Sequence, residues 1–150
     1  MSLTDLIGNS LDEVLTRGFF TKEINITKKV SVTITTISGD DLSKARMSIP
    51  DRARKELLTY SNAEKFEILS RAIIKINKVD VLAEAKKEMK PKEGTDEFVE
   101  PEFFAISSVR KFLGSLPPKV LDNLSDEYNK LAKDQSDYIQ KEMGEDVENF

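Results

Sequence analysis

The chain of 150 residues contains no histidine and no cysteine. Without histidine it lacks the side chain most used as a general base near neutral pH, which is also the commonest metal ligand. Serine triads, cysteine–histidine dyads and two-histidine metal sites are therefore excluded. Without cysteine there is no disulfide framework and no thiolate zinc site. The six glycines never form GxxxxGK or GxGxxG, so no phosphate loop is written here. No run approaches the roughly 18 apolar residues that a membrane helix needs. The N-terminal stretch MSLTDLIGNSLDEVL carries Asp5, Asp12 and Glu13 where a signal peptide would be positive. The expectation is a cytosolic protein that needs no cofactor.

Charge is abundant but divided. The net charge is −4. Residues 1–75 hold 12 Lys/Arg and 10 Asp/Glu, and residues 76–150 hold 11 and 17. An acidic second half argues against nucleic-acid binding, which needs a basic face. The last nine residues, EMGEDVENF, have four acids and no base. They read as a solvated, frayed terminus.

Apolar spacing suggests a mainly helical α+β fold. Leu3, Leu6, Ile7, Leu11, Val14 and Leu15 fit one helix face within an N-terminal segment, 1–18. Ser10 can cap there, with Glu13 completing a capping box and Gly18 a stop. β-Branched alternation at Ile24, Ile26, Val30, Val32 and Ile34 predicts an antiparallel hairpin over 21–37. Its Thr27-Lys28-Lys29 connection is not a strong turn signature. Asp40 or Asp41 can cap a helix at about 41–47. Pro50 and Asp51 open another, at about 51–59. Ser61 and Glu64 read as a capping box for a helix over 62–76, with Phe66, Leu69, Ile73 and Ile76 on one face. The run IIKINKVDV also allows a short strand around 78–82. Residues 83–100 are charged and interrupted by Pro91 and Gly94, and read as a mobile loop after some continued helix.

Two more helices are expected over 101–115 and 118–135. Leu116-Pro117-Pro118 between them makes a hard corner. A residue before proline avoids the α region, while Pro118 suits a first turn. The single domain then spans 19–135, with one hairpin on about five helices and an acidic extension over 136–150. Its expected core is Phe66, Leu69, Ile73, Val109, Phe112, Leu113, Leu116, Leu121 and Leu124.

The acidic pairs Asp40-Asp41, Asp122/Asp126 and Asp134/Asp137 invite a metal or acid–base reading. No DxDxDG loop supports it, and acids on helices usually face solvent. Phe19-Phe20 and Phe103-Phe104 are adjacent aromatics, and neighbours cannot both enter one core with equal ease. One of each pair would then face a partner. The plainer reading keeps both at a core boundary. Beyond Leu131, Tyr138 and Ile139 form a thin stripe able to dock in a partner's groove. Phe19, Phe20, Phe103, Phe104, Tyr138 and Ile139 are thus the candidate partner-binding residues.

Two stretches carry a resemblance. EKFEILSRAIIKINKVDV, then a charged loop, then SVRKFLGSLPPKVLDNLSDEYNKL, is similar to small proteins encoded among the tail genes of tailed bacteriophages. These are the tail assembly chaperones and the related baseplate-hub assembly proteins. In that pattern a helix ending "sIvsIng" precedes one ending "fL.sLP", followed by "vLd.L...Y..L". Ile74-Lys75-Ile76-Asn77 fills the first part and Phe112 to Leu131 the second. The resemblance covers about residues 20–135. The loop at 83–100 and the acidic tail have no counterpart in it. It implies a protein that is not an enzyme and that binds tape-measure, tube or baseplate subunits in the host cytoplasm. The alternative is a structural subunit retained in the tail, baseplate or connector of the virion. Self-association is compatible with either, and neither implies a cofactor, nucleic acid or membrane.

Overall fold

The structure, a computed structural model, describes residues 2–7, 19–89 and 100–142. Helix α1 occupies residues 3–7. The expected cap at Ser10, its partner Glu13 and the stop at Gly18 lie outside the described residues.

Alternation builds the hairpin. In β2 (Ser31–Thr35) apolar residues fall at every second position, Val32 and Ile34, whereas β1 (Thr21–Asn25) contributes Ile24 alone, with Lys22 at the alternate position. The strands pair antiparallel, with Ile24 opposite Val32 and Lys22 opposite Ile34. Thr27 organises the turn that its neighbours do not announce. Its hydroxyl accepts from the Lys29 and Val30 amides at 3.2 and 3.0 Å. Phe20 and Thr36 extend the pairing, since the Thr36 amide donates to the Phe20 carbonyl at 3.0 Å.

The hairpin is half of a larger sheet. Helix α2 (Gly39–Met47) follows β2 and is capped by Ser38 rather than by Asp40 or Asp41; the Ser38 hydroxyl accepts from the Asp41 amide at 3.2 Å. The expected helix at 51–59 is divided. A 3-10 turn covers Asp51–Lys55, Glu56 is extended, and Leu57 already opens α3 (Leu57–Ala72). Ser61 and Glu64 therefore lie inside a helix and form no capping box. That helix was expected to reach residue 76, but it stops at Ala72. Three β-branched isoleucines leave as strand β3 (Ile73–Ile76), where their side chains pack better than on a helix.

β3 pairs antiparallel with β2, Val32 against Ile76 and Ile34 against Ile73. Ile74 is the extra residue of a bulge. The bulge lets Ile73 and Ile76, three apart, both reach the core while Lys75 turns outward. A tight turn at Asn77 (φ 51°) and Lys78 (φ 66°) leads to β4 (Val79–Asp80). Two successive positive φ values mark a type I′ turn, which suits strand twist. Asn77 also grips β2. Its Oδ1 accepts from the Ser31 amide at 2.9 Å, and its own amide donates to the Ser31 carbonyl at 2.8 Å. The sheet order is β1-β2-β3-β4.

Asp80 caps α4 (Val81–Glu88) by accepting from the Ala83 amide at 2.9 Å. The loop expected from residue 83 is thus helical through Glu88, and residues 90–99 lie outside the described ones. Pro101 opens α5 (Pro101–Gly114) and Pro118 opens α6 (Pro118–Glu142). Between them the Leu116 amide donates to the Leu113 carbonyl at 3.1 Å, and the Pro117 carbonyl takes the first amides of α6. α6 runs past the expected end at 135, so the start of the acidic extension is helix.

One face of the sheet carries Ile24, Val32, Ile34, Ile73 and Ile76 toward the helices. The other carries Thr21, Glu23, Asn25, Thr33, Thr35 and Lys75, and is polar. Helix α3 is the hub, packed by α2, α5 and α6 and resting on β2 and β3. The core cluster joins Val32, Ile34, Leu69, Ile73, Val109, Leu113, Leu124 and Leu131. The fold is mainly helical α+β. Among the described residues no helix is long and apolar enough to cross a membrane.

Candidate functional site

A cavity of about 330 Å³ opens where the start of α2, the end of α3, strands β3 and β4, the first turn of α4 and the first three turns of α5 meet. Its wall is apolar: Ile73, Ile74, Val81, Leu82, Ala105, Ile106 and Val109. Three carboxylates also line it: Asp41, Asp80 and Glu102. The bulge at Ile74 and the capping bond of Asp80 explain how strand and helix ends converge on one space. Lys44, the base beside this acidic group, is bonded to Asp40 at 3.0 Å. That bond raises its pKa, and Asp41 and Glu102 push the same way.

The cavity's own base is Arg71, and its charge is answered from below. Arg71 Nη1 donates to Glu67 Oε2 at 2.9 Å, and Nη2 donates to the Ser48 hydroxyl at 3.1 Å. Arg110 of α5 donates to the same Glu67 oxygen at 2.8 Å. Arg71 Nε is buried without a hydrogen bond. The side chain is thus committed to holding α2, α3 and α5 together. What remains open to a visitor is apolar wall and carboxylate. That chemistry seats an apolar side chain accompanied by positive charge.

The six residues singled out from the sequence separate into two groups. Phe20 and Tyr138 come together, with ring centroids 5.6 Å apart and planes tilted at 57°. This contact fastens the far part of α6 to the start of the hairpin. Phe19, just before, is half-buried, and Ile139, just after Tyr138, is exposed. Phe103 and Phe104 lie on α5 instead. Phe103 is exposed. Phe104 is half-buried and lines a second cavity of about 210 Å³ with Ile76, Val79, Val81 and Ala85.

α6 is also tied to the hairpin by charge. Lys22 faces the same side as Ile34, its cross-strand neighbour, and its ammonium meets Glu127 at 2.5 Å. The hydrogen bond from Lys22 lowers the Glu127 pKa. At the next residue, burial raises the Tyr128 pKa.

The sequence did not single out Met47, Leu57 and Leu58, which the fold leaves exposed. Adjacent leucines at a helix start look like core until the helix direction is known. The acids proposed as pairs do not converge. Among the described residues no group of three carboxylates is placed to hold a metal ion. Compared with family models, with curated proteins and with solved structures, the chain matches none of them.

Proposed function

We propose that this protein assists bacteriophage tail assembly, binding tape-measure, tube or baseplate subunits by protein–protein contacts. One observation carries the reading. Among the described residues β1 is an edge strand, and Phe20 just before it meets Tyr138 in a tilted ring contact beside exposed Ile139. An open edge supplies main-chain hydrogen bonds to an extended segment, and flanking aromatics supply apolar contact. The Leu-Pro corner at Leu116–Pro118 and the Ile74–Asn77 stretch, which carry the resemblance to tail assembly chaperones, support the same role. Such binding calls for no catalytic group and no cofactor, and it takes place in the host cytoplasm.

The test is coexpression with the tape-measure protein of the same phage, reading its solubility, together with mass spectrometry of finished particles. A chaperone raises the soluble fraction and is missing from particles. If the chain neither binds nor changes the solubility of any tail protein, the proposal is wrong. A second reading is a subunit kept in the tail, favoured by the same open edge, which can join a neighbour's sheet. A stoichiometric signal in particles selects it.

A further inference from the structure

The exposed apolar side chains are not scattered. Leaving aside α1 and Ile139, the large ones among the described residues are Met47, Leu57, Leu58, Val79 and Phe103. Met47, Leu57 and Leu58 gather at the start of α3. Leu57, 85% exposed, and Leu58, 68% exposed, open the helix. Met47, 79% exposed, ends α2 close by, because Arg54 Nη2 in the 3-10 turn donates to the Arg46 carbonyl at 2.8 Å. At the other end lies the cavity, with Arg71 in its wall. Val79 lines the second cavity beside it, and Phe103, 60% exposed, follows Glu102 in the chain. Leu57 and Arg71 stand about 21 Å apart along the axis, at 1.5 Å per residue.

Charge divides the same way. At the start of α3, Arg46 is paired with Glu64 and Arg54 with Asp51, which leaves exposed Arg52 and Lys55 against Glu56. The cavity end holds Asp41, Asp80 and Glu102, while Arg71 is bonded to Glu67 and Lys44 to Asp40. One end of the molecule is therefore an apolar knob with a basic collar. The other is an apolar socket with an acidic rim.

We infer that copies of this chain associate head to tail, Leu57 and Leu58 of one copy seating in the acid-rimmed cavity of the next. The occupant is a second copy because both halves of the contact are present on one chain, complementary in charge and in polarity. Two different patches meeting in this way form a heterologous contact. It closes into a ring or continues as a filament according to the rotation per step. The inference goes beyond the assembly role and is tested apart from it, since it uses the ends of α3 and not the β1 edge.

The experiment is sedimentation of the full chain across concentration and salt. The wild type is expected to gain mass above its 17.0 kDa monomer as concentration rises, and to lose that gain in high salt. Leu57→Glu with Leu58→Glu removes the knob at surface positions, in a first turn that tolerates acids. It should weaken association at least about tenfold. Glu102→Lys reverses the rim at an exposed position, and Ile106→Trp fills the socket; each should do the same. The decisive arm mixes the knob variant with the Glu102→Lys variant. Each carries the half that the other lacks, so the mixture should form a dimer and nothing larger. A wild type that stays at 17.0 kDa up to about 1 mM overturns the inference. So does a knob variant that assembles like the wild type, or a mixture that stays monomeric while wild type associates.

Discussion

Arg110 of α5 and Arg71 of α3 donate to one and the same oxygen, Oε2 of Glu67, at 2.8 and 2.9 Å. The side chains of Glu67 and Arg71 are only 12% and 8% exposed, so this is a largely buried charge cluster. Removing one member of such a cluster strands the others in a poorly hydrated place. Glu67→Ala is expected to destabilise the fold by about 3 kcal/mol. A thermal melt should show a drop of roughly 6–12 °C for a chain of this size. An unchanged melting temperature would mean that water already satisfies both guanidiniums.

The turn at Asn77 and Lys78 makes an opposite prediction. Lysine at φ 66° is strained, and a type I′ turn prefers glycine there. Lys78→Gly should raise stability by about 0.5–1 kcal/mol, after allowing for the greater freedom of glycine when unfolded. Asn77→Ala should cost about 1–2 kcal/mol, because it removes the side-chain acceptor of the Ser31 amide. Denaturant midpoints of the two variants should move in opposite directions. A shared direction would contradict this account of the turn.

Pro117 and Pro118 shape the corner between α5 and α6. Replacing both with alanine leaves the contacts nearly intact but frees the unfolded chain. Stability should fall by about 1 kcal/mol. Spin labels on exposed positions of α5 and α6 should report a broader distance distribution. Retention of both the melting temperature and a narrow distribution would show that side-chain packing alone fixes the corner.

Tyr128 gives the alkaline limb of stability. Burial holds its pKa above the ordinary 10.0, against a smaller opposing contribution from the main chain of Ile37. The neutral phenol is therefore favoured in the folded state. Its contribution is complete below pH 10.0 and is lost as pH rises through the elevated folded value. Tyr128→Phe should flatten the decline above about pH 9, as read by denaturant midpoints across the alkaline range. An identical decline in the variant would assign it to other groups.

Much of this fold is legible in the sequence, for physical reasons. Hairpin alternation, proline starts and the Leu-Pro corner are local signals, and each locates an element. Leu69, Ile73, Val109, Leu113 and Leu124 were expected in the core and are buried. Val32 and Ile34 were absent from that expectation, because a two-stranded ribbon offers no reason to be central. Their burial follows from β3, and β3 was hidden in a helix pattern. Ile73 and Ile76 are three apart, which fits a helix face as well as a bulged strand. Only pairing with β2, far away in the chain, decides between the two. The cavity was invisible for a related reason. Its wall comes from separate elements, and its carboxylates lie far apart in sequence. The aromatic candidates were chosen by adjacency. Adjacency says nothing about which of them meet, and the Phe20–Tyr138 contact spans most of the chain.

The centre of the sheet also has a temporal side. β2 is complete at Thr35, yet its inner neighbour does not begin until Ile73, beyond two helices and a 3-10 turn. Closing that long segment has an entropic cost which the hairpin alone cannot repay. On a ribosome, the inner edge of β2, with Val32 and Ile34 beside it, stays unsatisfied until Ile76 has emerged. That interval exposes an apolar strand to other nascent chains.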